Sequence, residues 1–194
     1  MSERERWDID GATSTLTFAL RHFVVGEIKG QFGRWGGILL HDPAHLSRSS
    51  LEVWVDVASL DTGSPERDAH LRSPEFLDVA RRPRAVFRST GIALHADGDA
   101  VVAGRLELHD IARHVELMVI SQGSWVLDKG VLRAEYAAHG MFDRQAFGLH
   151  WNQDLDIGGV VVGDRVELMA HVQMIRTAET ARRPAPEPAT ASAR

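Results

Sequence analysis

Apolar residues recur at every second position in one segment of this chain after another. Leu16, Phe18 and Leu20 alternate with Thr15, Thr17, Ala19 and Arg21, and Leu51, Val53, Val55 and Val57 alternate with Glu52, Trp54 and Asp56. The pattern returns in Val115, Leu117 and Val119, then in Leu132, Ala134, Tyr136 and Ala138, and finally in Val166, Leu168, Ala170, Val172 and Met174. Successive side chains of a strand point to opposite faces, so period two marks a strand with one buried and one wet face. Together with 28–40, 85–95 and 100–109, these segments predict about eight strands. Glycines at 26, 91, 98, 123, 130 and 163 separate or interrupt them.

One stretch breaks the alternation. Ser64-Pro65-Glu66 and Ser73-Pro74-Glu75 each offer a capping serine, a proline at the first helical position and an acidic residue near the helix N-terminus. They predict two short helices, a helical insertion over about 64–80 between the third and fourth strands, with Pro83 ending the second. So few helical residues cannot cover the apolar face of an antiparallel sheet. The economical solution is closure of the sheet into a barrel, which also removes its edges; a two-sheet sandwich is the alternative the alternation permits. Eight strands enclose an interior that side chains fill or that holds one slender ligand.

The chain of 194 residues is 44% apolar, enough for a single core. Having no cysteine, it has no thiolate chemistry, disulfide or thiolate metal site. A net charge of −5 provides no basic field for nucleic acid, which is not expected as a partner. The longest aliphatic runs, such as Gly159-Val160-Val161-Val162-Gly163, fall far short of the roughly 20 residues a membrane helix needs. The charged opening Met1-Ser2-Glu3-Arg4-Glu5-Arg6-Trp7 does not read as a secretory signal, so a cytoplasmic chain without stable membrane insertion is expected. Residues 177–194 hold prolines and alanines but none of the large apolar residues. They read as a disordered tail behind a barrel domain over 1–176.

Among residues able to carry chemistry, His22 continues the inward phase of Leu16, Phe18 and Leu20. It is a core histidine satisfied by a carbonyl, a polar contact at a cavity, or a general base. Asp61, Ser64, Arg67, Asp68 and His70 crowd one helix start, where capping and pairing are the first reading and convergence of Asp68 and His70 with His22 the second. Arg144, flanked by Phe142 and Phe147, either caps carbonyls at a turn or holds an anionic head group in its fork. Trp151 and Asn152 open a glycine-rich stretch suited to a lid. The ten histidines fall in no metal-binding spacing, since Pro43 separates His41 from His45, and no metal is expected. Phosphate-cradling and nucleophile-elbow motifs are absent, and no cofactor is called for.

Taken in order, the residues resemble a known family. Trp7-Asp8-Ile9-Asp10 with Ser14, Phe18 and His22, then Gly30-Gln31-Phe32 and Gly37, look like the start of the YceI-like, polyisoprenoid-binding family. Ser59-Leu60-Asp61-Thr62, Arg67-Asp68-Ala69-His70-Leu71, Phe76-Leu77-Asp78, Pro83 and Phe87 continue the match. Gly104-Arg105-Leu106-Glu107-Leu108-His109, the run from Arg144 to Asn152, Gly158-Gly159 and Val162-Gly163-Asp164 complete it over about 7–176. One departure is Asp110-Ile111-Ala112-Arg113-His114, where the family has a glycine and a basic residue followed by proline; a looser hairpin is expected there.

The resemblance implies a lipocalin-like antiparallel barrel whose tunnel holds a polyisoprenoid, a quinone tail or a fatty amide or acid, for storage, transport or sequestration, and it makes a homodimer plausible. The residues expected to meet that lipid are Phe18, Leu20, His22, Phe32, Val55, Phe76, Phe87, Tyr136, Phe142, Arg144 and Trp151. The alternative is an enzyme acting on an apolar substrate in the same cavity, with His22 as acid or base and Asp68 or Arg144 polarising the substrate.

Overall fold

The computed structural model describes residues 4–22, 26–95, 99–126, 131–151 and 162–177; the expected tail lies outside them from residue 178 on. The strands are β1 (Glu5–Ile9), β2 (Thr15–His22), β3 (Gly26–Phe32), β4 (Trp35–His41), β5 (Ser50–Asp56), β6 (Leu60–Asp61), β7 (Arg84–Leu94), β8 (Ala100–Leu108), β9 (Ile111–Val126), β10 (Leu132–Asp143) and β11 (Val162–Thr177), with one helix, α1 (Pro65–Arg72). Every pairing is antiparallel.

The ring runs β1-β4-β5-β7-β8-β9-β10-β11 and closes through the β1–β11 pairing. This is the closed eight-stranded barrel that the alternation and the resemblance imply. The three remaining strands continue members of the ring. β11 pairs with β1 from Met174 to Thr177 and with β2 from Val162 to His171, while β3 follows β2 and β6 follows β3. Residues 5–22, 26–41 and 50–61 are therefore three long strands, each interrupted once.

Side chains that capture backbone groups make the interruptions. At the first, the Asp10 carboxylate accepts from the Ala12 amide and the Asp10 carbonyl from the Thr13 and Ser14 amides. At the third, Asp56 accepts from the Ala58 amide and caps the short turn Val57–Ser59. Ser59 ties this break to the second one, its hydroxyl accepting from the Arg34 amide at 2.9 Å and its carbonyl from the Gly33 amide at 3.1 Å. Such local bonds compete with the ladder and bend the wall where they win.

The insertion between the third and fourth ring strands corrects two expectations. Helix α1 forms with Pro65 in its first turn, yet the Ser64 hydroxyl makes no capping bond. Asp68, within the helix, instead fastens it to the preceding loop, its carboxylate accepting from both the amide and the hydroxyl of Thr62. The second expected helix does not form, and residues 74–77 are turns. Nucleating a helix fixes several residues for one hydrogen bond; here the Ser73 hydroxyl takes the Glu75 amide and the Ser73 carbonyl takes the Phe76 and Asp78 amides. Asp78 adopts φ 47°, and Leu77 is turned into the core.

The β8–β9 hairpin is also tighter than its departure from the family pattern implied. Leu108 pairs with Ile111 across two residues, His109 at φ 55° and Asp110 at φ 62°, the left-handed pair of a type I′ turn. Arg82 bonds Asp110 and Asp78 at once, and His109 Nδ1 meets the Phe147 carbonyl at 3.2 Å, so side chains hold the turn without the expected glycine.

Candidate functional site

The barrel carries two apolar clusters. One gathers Phe18, Val57, Leu60, Leu77, Phe87, Leu106, Leu108, Val115, Phe147, Leu149 and Val166, with Leu71, Phe76 and Phe142 packed on it. It fills the end covered by α1, the turns that follow it and the 145–149 segment. The other gathers Trp7, Leu16, Trp35, Ala134, Val172 and Met174, and beside it the barrel is hollow.

A cavity of about 270 Å³ occupies this part of the lumen. Its deeper wall is formed by Val55, Ala85, Phe87, Leu106 and Val115, its flanks by Leu16, Trp35, Val53, Val102, Leu117, Val119, Tyr136, Leu168 and Val172. Leu46 and Ser49 from the β4–β5 connection, with Leu94 and Ala100 at the β7–β8 turn, form its rim. Three inward positions, Ala100, Ala138 and Ala170, are too small to fill the space opposite them. A register shift between Ser89 and Gly91 changes the inward phase of β7, so that Ile92 and Leu94 join Phe87 on the lining.

Gly104 sets how the Phe87 ring lies. A Cβ at position 104 would stand 2.4 Å from Phe87 Cζ and 2.6 Å from the Arg88 carbonyl oxygen, so only glycine lets the ring lie flat on the neighbouring strand. Glycine at 30 likewise admits the ring of Phe18, whose Cζ would be 2.4 Å from an added Cβ.

Of the residues expected to meet a ligand, Val55, Phe87 and Tyr136 lie on this cavity. The others belong to the packed end. Phe18 and Phe32 stack with centroids 5.3 Å apart, with Leu20 in the same cluster. Phe142 meets Phe147 edge-on at 5.2 Å, and Trp151 lies 4.6 Å from His70 and 6.4 Å from Phe76. His22 ends β2, opposite Val162 and Gly26. Asn152, the second residue of the expected lid, lies outside the described residues.

Arg144 is 2% exposed, and its fork is fully engaged. Nε donates to the Gly163 carbonyl, Nη1 to those of Leu149 and Trp151, and Nη2 to the Val162 carbonyl and the Asp164 carboxylate. Burial draws the guanidinium pKa below its ordinary value, and Asp164 and Asp143 act against that shift. Of the two roles open to Arg144, carbonyl capping is the one this geometry realises. Asp68, 5% exposed and bound to Thr62, is similarly occupied, and neither it, Arg144 nor His22 lines the cavity.

The lining holds no Asp, Glu, Lys or Arg among the described residues. His41 and Ser49 face each other near the rim, Nδ1 to Oγ at 3.3 Å. Deeper in, burial pushes the Tyr136 phenol pKa up and keeps the hydroxyl protonated. Most of the lining, including Leu16, Val102, Leu117, Val119 and Leu168, was not among the residues expected to meet a ligand. The small inward alanines Ala138 and Ala170 were the available signal, because an unfilled position on an inward face is where a lumen stays open. No cluster of three potential metal ligands occurs among the described residues, and none of their helices is long and apolar enough to cross a membrane.

Comparison with known proteins places this geometry in context. A sequence profile described as the YceI-like domain matches residues 7–174. A UPF0312 protein of Vibrio cholerae is 34% identical over 146 residues, which is 73% of this chain and 75% of that protein. A UPF0312 protein of Shewanella denitrificans is 29% identical over 162 residues, 84% and 83% of the two chains. Among solved structures, Burkholderia cenocepacia BcnA superposes with a TM-score of 0.73 at 22% identity, covering 85% of this chain and 98% of that one. A polyisoprenoid binding domain from Saccharophagus degradans gives 0.64 at 14% identity, covering 88% and 98%.

Proposed function

The chain belongs to the YceI-like family, and from that premise we propose that its barrel takes up the apolar chain of a polyisoprenoid, a quinone tail or a fatty amide or acid for storage, transport or sequestration. The observation that carries this reading is a lumen of about 270 Å³ walled mostly by aliphatic and aromatic side chains, with no Asp, Glu, Lys or Arg on it among those described. Such a wall gains from an apolar guest at about 0.8 kcal/mol per buried CH₂, hence up to roughly 4 kcal/mol per five-carbon unit. Association costs on the order of 4–15 kcal/mol, so two to four well-packed units suffice for useful affinity. The polyisoprenoid-binding domain with the same fold supports the choice of ligand class. A net charge of −5 argues for lipid over nucleic acid as partner.

Organic extraction of the purified protein followed by mass spectrometry tests the reading. A long-chain lipid at close to one per barrel is expected; barrels that emerge empty and take up no added long-chain lipid would overturn it.

The homodimer belongs to the same reading. Met118, Ile120, Met141 and Met169 are exposed on neighbouring strands β9, β10 and β11, an apolar outer patch of the kind that marks protein contacts. Sedimentation should return twice the 21.4 kDa of one chain, and a charge placed at Met118 should return the monomer.

A further inference from the structure

The lumen has a polar feature for which no described residue supplies a partner. Tyr136 lies on the inner face of β10, between Ser121 of β9 and Val172 of β11, and lines the cavity. Its ring packs with Leu16, Trp35 and Val172, yet its hydroxyl makes no hydrogen bond to any described residue. A phenol in an apolar site normally finds a partner, and on this lining the partner has to come from whatever enters the cavity. Along the strand beyond Tyr136 the inward positions shrink to Ala138 and Gly140, which leaves room in front of the hydroxyl. His41 and Ser49, the polar pair near the rim, already bond each other. Trp35 lines both this cavity and a shallow outer groove with Arg34, Asp56 and Arg84, and His139, also at the cavity boundary, sits on the opposite phase of β10 between the exposed Met118 and Met169, which leaves the hydroxyl of Tyr136 as a donor on the inward face.

We propose that Tyr136 is the polar anchor of the cavity and selects an uncharged long-chain molecule carrying a hydrogen-bond-accepting oxygen, such as a ketone, ester, amide or quinone carbonyl. This rests on the lipid-binding reading and narrows it. The phenolic O–H donates to the ligand oxygen, and the apolar remainder lies against Phe87, Leu117, Val119 and Leu168. An anionic phosphate or carboxylate head does not belong inside, because the lining offers no Lys or Arg to pair with it among the described residues, its rim histidine His41 is engaged with Ser49, and an unpaired buried anion is strongly disfavoured. The raised Tyr136 pKa agrees with a hydroxyl that stays a donor throughout the neutral range.

The test compares wild type with Tyr136→Phe, which removes only the hydroxyl, by displacement of an apolar fluorescent probe with 2-tridecanone, tridecane and dodecyl phosphate. The ketone should bind about 3- to 10-fold more weakly to the variant, the size of one net hydrogen bond, whereas tridecane binding stays the same or tightens. In wild type the ketone carbonyl infrared band should carry a component at lower frequency that the variant lacks. A ketone affinity and carbonyl band unchanged by Tyr136→Phe, or uptake of dodecyl phosphate in preference to the ketone, would overturn the anchor while leaving lipid binding in place. Failure of all three compounds to displace the probe from wild type would remove the lipid-binding reading and the anchor together.

Discussion

The two ends of this barrel are built from the same alternating strands and differ in what lies over them. At one end α1, the turns through Leu77 and Val79, and the segment with Phe147 and Leu149 fold across the opening, and large inward residues meet them. Phe147 and Leu60 are each 1% exposed there. At the other end, among the described residues, the short connection holding Leu46 reaches the rim, and Ala100, Ala138 and Ala170 line the lumen. Alternation thus selects which side of the wall a residue faces, while the crossing segments decide whether that side is core or cavity. Stability and binding are separated along the barrel, and substitutions at the two ends should report different quantities.

The largest effect is expected from Arg144→Met. It strips four carbonyls and Asp164 of their buried donor, and breaking a buried charged network of this kind costs about 3–5 kcal/mol. Urea denaturation should show that loss. A variant as stable as wild type but unable to hold lipid would break the comparison, because it would place binding at the packed end.

Phe147→Ala should follow at about 3–5 kcal/mol, since it empties a site filled on every side. Its counterpart in the hollow half, Val119→Ala, already borders empty space and should cost about 1 kcal/mol or less, with lipid uptake retained. Equal losses in parallel denaturation curves would mean that the two ends are packed alike.

Gly104→Ala sits between the halves. Overpacking of its neighbours is expected to cost about 1–3 kcal/mol, and the displaced Phe87 ring should enter the lumen. A fall in lipid capacity larger than the fall in stability would locate Phe87 as the boundary of the cavity; unchanged capacity would remove it from that role.

The smallest effect concerns acid. Burial by itself would raise the Asp10 pKa, but the Ala12 amide and then Arg133, at 2.9 Å, outweigh it and hold the carboxyl below its ordinary value. A depressed carboxyl contributes stability above its unfolded value of about 3.9, and that contribution fades as pH falls through the folded value. The stability gap between wild type and Asp10→Asn should therefore narrow from pH 6 to pH 3. A gap that widens on acidification would reverse the sign of this contribution.

Much of this architecture was legible before the fold was known. The inward phases of 16–20, 51–57, 115–119 and 166–174 read correctly because burial on one face of a strand leaves a local signature of period two. The second helix at 73–75 was misread because its capping signals are equally those of a serine turn, and the winner depends on where Leu77 can be buried. The looseness expected of the 108–111 hairpin failed because Arg82 and Phe147, distant in sequence, hold His109 and Asp110. For the ligand site, the strand face was legible but depth along the barrel was not. Phe18, Phe32 and Phe142 share the chemistry of Phe87, yet they meet the covering segments and Phe87 meets the lumen.

The sequence by itself determined that the wall has an apolar inner face, that it forms about eight strands, and that cysteine chemistry has no part. These follow from residue type and spacing, which are local properties. Tertiary structure alone decided that three long strands are each broken once, that Arg144 closes a turn, and that Tyr136 lines a hollow. Those outcomes depend on which segments meet across the closed ring, and neither period nor composition records that meeting.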